Sequence, residues 1–285
     1  MQTPFYQVDV FSGELFGGNP LAVFLRGDDF KEEQFQQVAR EMNLSETTFV
    51  LPSSHADADF DVRIFTPEKE IPFAGHPTLG TAFVLRHAGL IAAEQNQLRL
   101  HFKVGVIDVQ FGDDDKIFMT QPAGKILKTF SDREKVARAL GLHANNLDTQ
   151  LPVQSVSTGF PALLVPIVSL RAIQRIDLDL PLLKELLGEV GMIYPFTRDT
   201  CDAENSIHAR GFAPFVGIPE DPATGSVAGA LGYYLNDKNP ELKEIIIEQG
   251  YEMKRPGNIF VSLQGSVIRV GGKTRMVFKA SLYLD

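Results

Sequence analysis

The segment FAGHPTLGTAFVL, residues 73–85, decides the fold of this chain, because residues 219–231, PEDPATGSVAGAL, repeat its pattern. Each copy has a polar or ionisable side chain, then proline, two residues, glycine, a hydroxyl residue and several small apolar side chains. His76 takes the first position in one copy and Asp221 takes it in the other. Since proline is favoured at the first position of a helix, the pattern predicts two helices with His76 and Asp221 as N-caps.

Further matches occur in the same order along the two halves of the chain, at separations of 141 to 147 residues. Besides His76 and Asp221, the matched positions are Pro20 with Pro161, Arg63-x-Phe65-x-Pro67 with Arg210-x-Phe212-x-Pro214, and Gly80-Thr81 with Gly225-Ser226. Each half also has one amphipathic helical pattern, near residues 30–42 and 180–190. Short β-branched runs such as GVIDVQF, EIIIEQG and NIFVSL predict strands elsewhere. Four ordered matches indicate an internal duplication.

Both repeated helices are apolar or small on nearly every side, which is typical of buried helices. The sequence therefore predicts an α+β fold of two pseudo-twofold-related lobes, each a β-barrel-like sheet wrapped around a central buried helix. We place the lobes at residues 1–122 and 123–275. The final strand, 276–285, is able to complete the first lobe.

Two buried helix starts present free N–H donors and a partial positive charge, which suits a small carboxylate in a cleft between the lobes. Small and hydroxyl-bearing residues around these starts are predicted to contact the ligand: Gly75, Thr78, Gly80, Thr81, Thr224 and Gly225. His208, two residues before Arg210 on a predicted strand, would face the same cleft. The alternatives are structural: Asp221 as a helix cap, Thr81 and Ser226 as partners of the backbone, Arg63 and Arg210 as strand-end ion pairs, and His208 as a satisfied strand histidine.

The two halves differ in residue type at Glu46, in the stretch EMNLSETTFV, residues 41–50. At a separation of 147 residues the equivalent position is Ile193, so only the first half carries a carboxylate there. A carboxylate in a low-dielectric cleft suits a general acid/base near neutral pH. A solvated loop charge is the alternative interpretation.

The stretches MNLSETTFV, AGHPTLGTA and EDPATGSVAGAL together resemble the phenazine-biosynthesis-like (PhzF-like) isomerase family, which is similar in fold to diaminopimelate epimerase. The resemblance runs over the whole chain. It implies that Glu46 is the catalytic glutamate, and that His76, Asp221 and Ser226 bind and polarise the substrate. It also implies a homodimer, a feature that nothing in the sequence tests.

Composition narrows the class of protein. A net charge of −9 over 285 residues argues against nucleic-acid binding, and no apolar run is long enough for a bilayer span. With one cysteine, Cys201, and no signal-peptide pattern, we expect a cytoplasmic protein. The six histidines lack the usual metal-ligand spacings, and no dinucleotide fingerprint is present, so we predict no metal and no organic cofactor.

These features predict a cofactor-independent isomerase that shifts a proton on a small carboxylate-bearing substrate, with Glu46 as general acid/base. A hydrolase is disfavoured because TGSVA lacks the Gly-x-Ser-x-Gly context of a nucleophilic serine. Two alternatives stay open. One is racemase or epimerase activity on an amino acid, although a two-thiol mechanism is disfavoured because Cys201 lies outside both motifs. The other is a protein that binds a small carboxylate without turning it over.

Overall fold

The structure, a computed structural model, describes residues 2–188 and 190–284 of an α+β chain with mixed strand pairing and few helices. The chain divides into two compact units, Met1–Thr120 with Gly271–Asp285, and Gln121–Val270. None of the helices in the described part of the chain combines the length and the apolar character that a membrane crossing requires.

Nineteen strands are described. In chain order they are β1 (Gln2–Val10), β2 (Asn19–Phe24), β3 (Glu46–Pro52), β4 (Phe60–Phe65), β5 (Glu70–Ile71), β6 (Gln97–Phe102), β7 (Gly105–Phe111), β8 (Ile117–Gln121), β9 (Lys125–Phe130), β10 (Val153–Ser157), β11 (Pro161–Pro166), β12 (Met192–Thr197), β13 (Ile207–Ala209), β14 (Gly211–Ala213), β15 (Ile218–Asp221), β16 (Glu244–Gln249), β17 (Gly257–Gln264), β18 (Val267–Gly272) and β19 (Thr274–Tyr283).

Six α-helices are described between these strands. They are α1 (Glu32–Met42), α2 (Gly75–His87), α3 (Arg133–Ala139), α4 (Leu170–Ile173), α5 (Leu180–Leu187) and α6 (Gly225–Lys238). Short 3₁₀ turns occupy Gly27–Asp29, Ala144–Asn146 and Pro214–Val216. The two predicted amphipathic helices are confirmed as α1 and α5, and the runs GVIDVQF, EIIIEQG and NIFVSL are confirmed as strands β7, β16 and β17.

In the first unit, β1 pairs antiparallel with both β2 and β19. Strand β2 then pairs parallel with β3, and the connection between them contains α1, as a parallel crossover requires. Strand β3 pairs antiparallel with β4, which also pairs parallel with β6. Helix α2 packs against β1, β2 and β3 and is buried along nearly its whole length, as predicted.

The second unit has the same succession of pairings. Strand β10 pairs antiparallel with β9 and β11, β11 pairs parallel with β12, and β12 pairs antiparallel with β13 and β14. Helices α4 and α5 lie in the connection between β11 and β12. Helix α6 packs against β10, β11, β16 and β17, and is as thoroughly buried as α2.

The registers correct one sequence equivalence. In the first unit Leu21 of β2 lies opposite Glu46 of β3, and in the second Ala162 of β11 lies opposite Met192 of β12. Since Leu21 and Ala162 each follow the matched prolines, the position equivalent to Glu46 is Met192 rather than Ile193. The chemical conclusion is unchanged, because both candidates are apolar and only the first half carries a carboxylate.

The predicted helix caps were wrong by two residues in α2 and by three in α6. Helix α2 begins at Gly75 with Ala74 as its N-cap, so His76 is the second helical residue. Pro77 then stands in the first turn, where its missing N–H leaves no helical bond unmade. Helix α6 begins at Gly225 with Thr224 as its N-cap, and Asp221 is the last residue of β15. The proline after Asp221 favours extended backbone there, which delays the helix.

Candidate active site

Glu46 and His76 form a buried pair in the first unit. Glu46 is the first residue of β3 and His76 lies in the first turn of α2, which packs against that strand. The Nε2 atom of His76 lies 3.2 Å from Oε2 of Glu46, and the two side chains are 6% and 8% exposed. The structure therefore brings together the predicted acid/base and the predicted histidine.

Burial decides the charge of this pair. The pKa of His76 is lowered to about 3, because an imidazolium in this position would lose its hydration. His76 is consequently neutral near pH 7, and the contact with Glu46 is not an ion pair at that pH. A neutral imidazole adds no positive charge beside the carboxyl group.

Glu70, a partly buried carboxylate of the same unit, is held by two cations. Glu70 of β5 lies 2.8 Å from Nε of Arg63 and 2.6 Å from Nζ of Lys103. Burial acts to raise the pKa of Glu70, but the hydrogen bonds from Arg63 and Lys103 outweigh it and hold the pKa below its usual value. A carboxylate fixed in that way is a poor proton carrier. The histidine beside Glu46, in contrast, is uncharged near pH 7.

Two side-chain contacts set the position of α2 against β3. Thr48 lies two residues after Glu46 and so faces the same side of the strand. Its Oγ1 lies 2.9 Å from Oγ1 of Thr81 on α2, in a buried hydrogen bond. The helix and the strand are thus joined at the Glu46–His76 pair and again about one helical turn further along.

The predicted binding residues of the first helix have local partners. Thr78 donates to the carbonyl of Ala74 at 2.8 Å. Gly80 permits close packing, because a Cβ there would meet Cδ2 of Leu21 at 2.6 Å and Cγ2 of Val10 at 2.8 Å. Gly75 is buried at the helix start. Contact of these residues with a substrate stays a prediction.

In the second unit Asp221 belongs to a buried polar network. Oγ1 of Thr224 donates to Oδ2 of Asp221 at 2.6 Å. Gln249, the last residue of β16, donates to the backbone carbonyl of Asp221 at 2.6 Å and accepts from the Thr224 N–H at 3.1 Å. The hydroxyl of Tyr194 also donates to Gln249, at 2.7 Å. Burial, and then the charge of Asp221, raise the pKa of Tyr194, so this phenol stays protonated.

The first turn of α6 holds Gly225 and Ser226. Gly225 is buried, and its carbonyl accepts from Nε2 of Gln121 at 2.9 Å. Thr158 donates to the Oε1 atom of the same Gln121 at 2.8 Å, which fixes the amide. Ser226 is half-buried, so it is more accessible than Gly225. Its role in binding stays a prediction.

His208 lies between two glutamates in the second unit. It is fully buried, with Nδ1 2.7 Å from Oε1 of Glu248 and Nε2 3.1 Å from Oε1 of Glu252. Burial alone would lower the pKa of His208, but the hydrogen bonds to the two carboxylates raise it to about 9. Hydrogen bonds from His208 and from the backbone of Cys201 and Asp202 overcome burial and lower the pKa of Glu248 to about 2. This is a buried imidazolium held by carboxylates, and a role in ligand binding stays a prediction.

The two arginine motifs form ion pairs, which was one of the two interpretations of their sequence. Arg63 binds Glu32 at 2.6 Å and Glu70 at 2.8 Å. Arg210 binds Glu220 of β15 through both Nε and Nη2, at 2.8 and 2.9 Å. In each unit the arginine therefore holds a glutamate on the strand that precedes the buried helix.

Sequence reasoning missed Gln249, Tyr194, Gln121 and Thr48. One signal was available for Gln249, since the polar pair Glu248–Gln249 follows three consecutive isoleucines on its strand. The other three have no comparable pattern, because their partners are distant in the sequence.

Comparison with known proteins agrees with the α+β fold. A model of the family described as phenazine biosynthesis-like protein matches residues 8–280. The trans-2,3-dihydro-3-hydroxyanthranilate isomerase of Pseudomonas aeruginosa is 36% identical over 273 residues, which cover 92% of this chain and 91% of that protein. The crystal structure of a Bacillus anthracis phenazine biosynthesis protein of the PhzF family is 29% identical with a TM-score of 0.89, and the match covers 100% of both chains.

A hydroxyproline epimerase from Agrobacterium vitis shares the fold at 11% identity, with a TM-score of 0.67 over 100% of this chain and 93% of that one. This α+β protein is an isomerase. It belongs to the phenazine biosynthesis-like (PhzF) family, and the resemblance carried by the three sequence stretches is confirmed.

Proposed function

We propose that this isomerase shifts a proton between carbons of a small carboxylate-bearing substrate, with Glu46 as general acid/base and without an organic cofactor. The observation that carries the proposal is the buried Glu46 carboxyl group beside a neutral His76. A group that takes a proton from one atom and returns it to another must change its charge during the reaction. A neutral imidazole beside Glu46 allows that change, whereas a cation there would oppose it.

Under this proposal His76 polarises the substrate or steadies the carboxyl group of Glu46, and it is not itself a charged acid. Asp221 and Ser226 take part in substrate binding, as the family resemblance implies. The hydroxyl of Thr224 on Asp221 supports that role, because it fixes the direction of the carboxylate. We also propose that the strands of each unit close into a barrel-like sheet around α2 or α6, and that the protein is a homodimer.

The relative from Pseudomonas aeruginosa is named for trans-2,3-dihydro-3-hydroxyanthranilate, and this compound is the first substrate to test. The experiment incubates it in deuterated water with the parent protein and with Glu46→Gln, and follows exchange at carbon by NMR. Glu41→Gln is the matched control, since Glu41 is an exposed carboxylate five residues earlier in the same unit. We expect the parent and the control to exchange, and Glu46→Gln to be slower by about 100-fold or more.

Other outcomes separate the alternatives. Equal exchange by Glu46→Gln and the parent would remove Glu46 from the reaction. Thermal stabilisation by the compound without any exchange would favour the alternative of a protein that binds a small carboxylate without turning it over. If this compound does neither, a panel of small carboxylates and amino acids is screened in the same way, and inversion of an amino-acid centre would favour an epimerase.

A further inference from the structure

Two histidines and an aspartate meet on the first unit, near the end of β3 that lies away from Glu46. They are His55, in the turn between β3 and β4, Asp61 on β4 and His101 on β6. One possible ligand atom from each lies within 4.8 Å of those from the other two. Nothing in the proposed isomerase reaction uses these side chains.

We propose that His55, Asp61 and His101 form a binding site for a divalent transition-metal ion of the zinc or nickel type. Strands β4 and β6 are paired in parallel with Asp61 directly opposite His101, so the two side chains leave the same face of the sheet. The Nδ1 atom of His101 lies 3.3 Å from Oδ1 of Asp61. Backbone pairing therefore fixes two of the three ligands.

His55 supplies the third ligand from the turn. Its ring centroid lies 3.6 Å from that of His101, with a 35° angle between the planes. Tetrahedral coordination at about 2.1 Å puts ligand atoms roughly 3.4 Å apart, so only small side-chain rotations are needed. Because His55 is exposed, its ring is free to make that rotation.

The carboxylate of Asp61 is already oriented. Its Oδ2 accepts from the backbone N–H of Ser54 at 3.2 Å and from the Ser54 hydroxyl at 2.6 Å. Those bonds turn Oδ1 toward His101. Hydrogen bonds behind a ligand fix its direction and add to metal affinity. The neighbouring Asp57 adds a negative charge to the same turn.

The donor set selects the kind of ion. Two imidazole nitrogens with one carboxylate oxygen suit zinc, nickel, copper or iron, whereas magnesium and calcium prefer oxygen ligands alone. Three protein ligands at a partly exposed position leave at least one coordination site for water. The ion would join the turn at His55 to strands β4 and β6.

This site is separate from the Glu46–His76 pair. Asp61 lies opposite Leu51 of β3, five residues along that strand from Glu46, or about 17 Å at 3.3 Å per residue. A bound ion is therefore expected to change the stability of the unit and leave proton exchange unaffected. The failure of either proposal would thus be distinguishable from the failure of the other.

A second cluster with metal-binding chemistry, Cys201, His208 and Glu248, serves as an internal comparison. Its carboxylate already accepts from the N–H groups of Cys201 and Asp202 and from Nδ2 of Asn205, at 2.6, 3.1 and 2.7 Å. An ion there would have to displace those bonds. Both oxygens of Glu248 are engaged in this way, whereas the short bonds to Asp61 fall on Oδ2, and its Oδ1 accepts from the Ser53 hydroxyl at the longer distance of 3.4 Å.

The test titrates the tag-free protein with Zn²⁺ in competition with a chromophoric chelator, and repeats it with Ni²⁺ and with Mg²⁺. We expect one Zn²⁺ or Ni²⁺ per chain, no Mg²⁺ binding under the same conditions, and a higher melting temperature with Zn²⁺. His55→Ala and Asp61→Asn should each weaken Zn²⁺ binding at least tenfold. His87→Gln, an exposed histidine on α2, and Cys201→Ser are the controls and should bind as the parent does.

Any one of three results would overturn the proposal. The first is Zn²⁺ binding that is unchanged in both His55→Ala and Asp61→Asn. The second is no binding by the parent at micromolar Zn²⁺, and the third is binding that is lost in Cys201→Ser. His55 is an exposed turn residue, so His55→Ala keeps the test valid even if Asp61→Asn disturbs the strand.

Discussion

The imidazole of His76 lies 3.2 Å from the carboxylate of Glu46, and neither side chain is more than 8% exposed. This one contact joins a strand end to a helix start. It places a histidine that burial keeps neutral beside a carboxyl group. Four testable predictions concern this pair and other groups of the two units.

The first concerns the charge of His76. Its folded pKa of about 3 lies below the usual 6.5, so between these values the unfolded chain takes up a proton that the folded one refuses. The parent should therefore lose stability relative to His76→Gln as pH falls from 6.5 towards 3, by about 1.4 kcal/mol per pH unit. Urea unfolding of both proteins at pH 7, 6 and 5 measures the difference. An NMR titration in which His76 protonates near pH 6.5 would contradict the neutral assignment.

The second concerns the hydrogen bond between Thr48 and Thr81. Replacing Thr81 with valine removes a buried partner and should cost about 1–3 kcal/mol of unfolding free energy, because Thr48 then lacks it. The double variant Thr48→Val with Thr81→Val should lose less than the sum of the single variants. Denaturant unfolding of the four proteins gives the coupling. Purely additive losses would mean that the bond does not hold α2 to β3.

The third concerns the buried imidazolium of His208. Its raised pKa, about 9, gives stability that is fully present below pH 6.5 and is lost as pH rises through 9. The lowered pKa of Glu248, about 2, gives stability that is present above pH 4.5 and is lost as pH falls towards 2. His208→Gln should therefore destabilise the protein most between pH 4.5 and 6.5, by about 3–5 kcal/mol.

Urea unfolding at pH 5.5 and pH 9.5 tests this expectation. The gap between the parent and His208→Gln should narrow at pH 9.5, where the parent imidazole has lost its proton. A gap of the same size at both pH values would indicate that His208 contributes by packing alone.

The fourth concerns Cys201. Burial and then the nearby carboxylate of Glu248 raise the pKa of its thiol to about 11. Two units above the usual 9.0 mean about a hundredfold less thiolate at pH 8, partly offset by the greater nucleophilicity of a more basic thiolate. We expect reaction with iodoacetamide about tenfold slower than that of a free cysteine peptide, and a rate equal to the peptide's in 6 M guanidinium chloride. A folded-state rate matching the peptide would contradict the raised pKa.

Predictions from the sequence were correct wherever a local pattern was sufficient. The apolar character of α2 and α6 predicted their burial, and the periodicity of residues 30–42 predicted α1. Helix boundaries were predicted less accurately. Helix α6 begins only after Pro222 and Ala223, whereas His76 and Pro77 of the first copy already lie inside α2. One residue of register separated Met192 from Ile193, since strand pairing and not chain offset decides which residue lies opposite.

Local sequence patterns did not predict contacts between residues that are distant along the chain. Gln249 and Tyr194 meet Asp221 and Thr224 only through the pairing and packing of the second unit. His55, Asp61 and His101 show no metal-ligand spacing, because strand pairing and a turn bring them together.

The amino-acid sequence by itself was sufficient to predict the duplicated α+β plan and the two apolar helices, because repeated motifs and apolar character are properties of short segments. It was also sufficient to single out four candidate site residues, Glu46, His76, Asp221 and Ser226. Only the tertiary structure decided that His76 is neutral beside Glu46, that Asp221 is bound by Thr224, and that His208 is an imidazolium between two glutamates. The reason is physical: a charge state depends on burial and on neighbouring groups, and both are fixed when distant segments pack together.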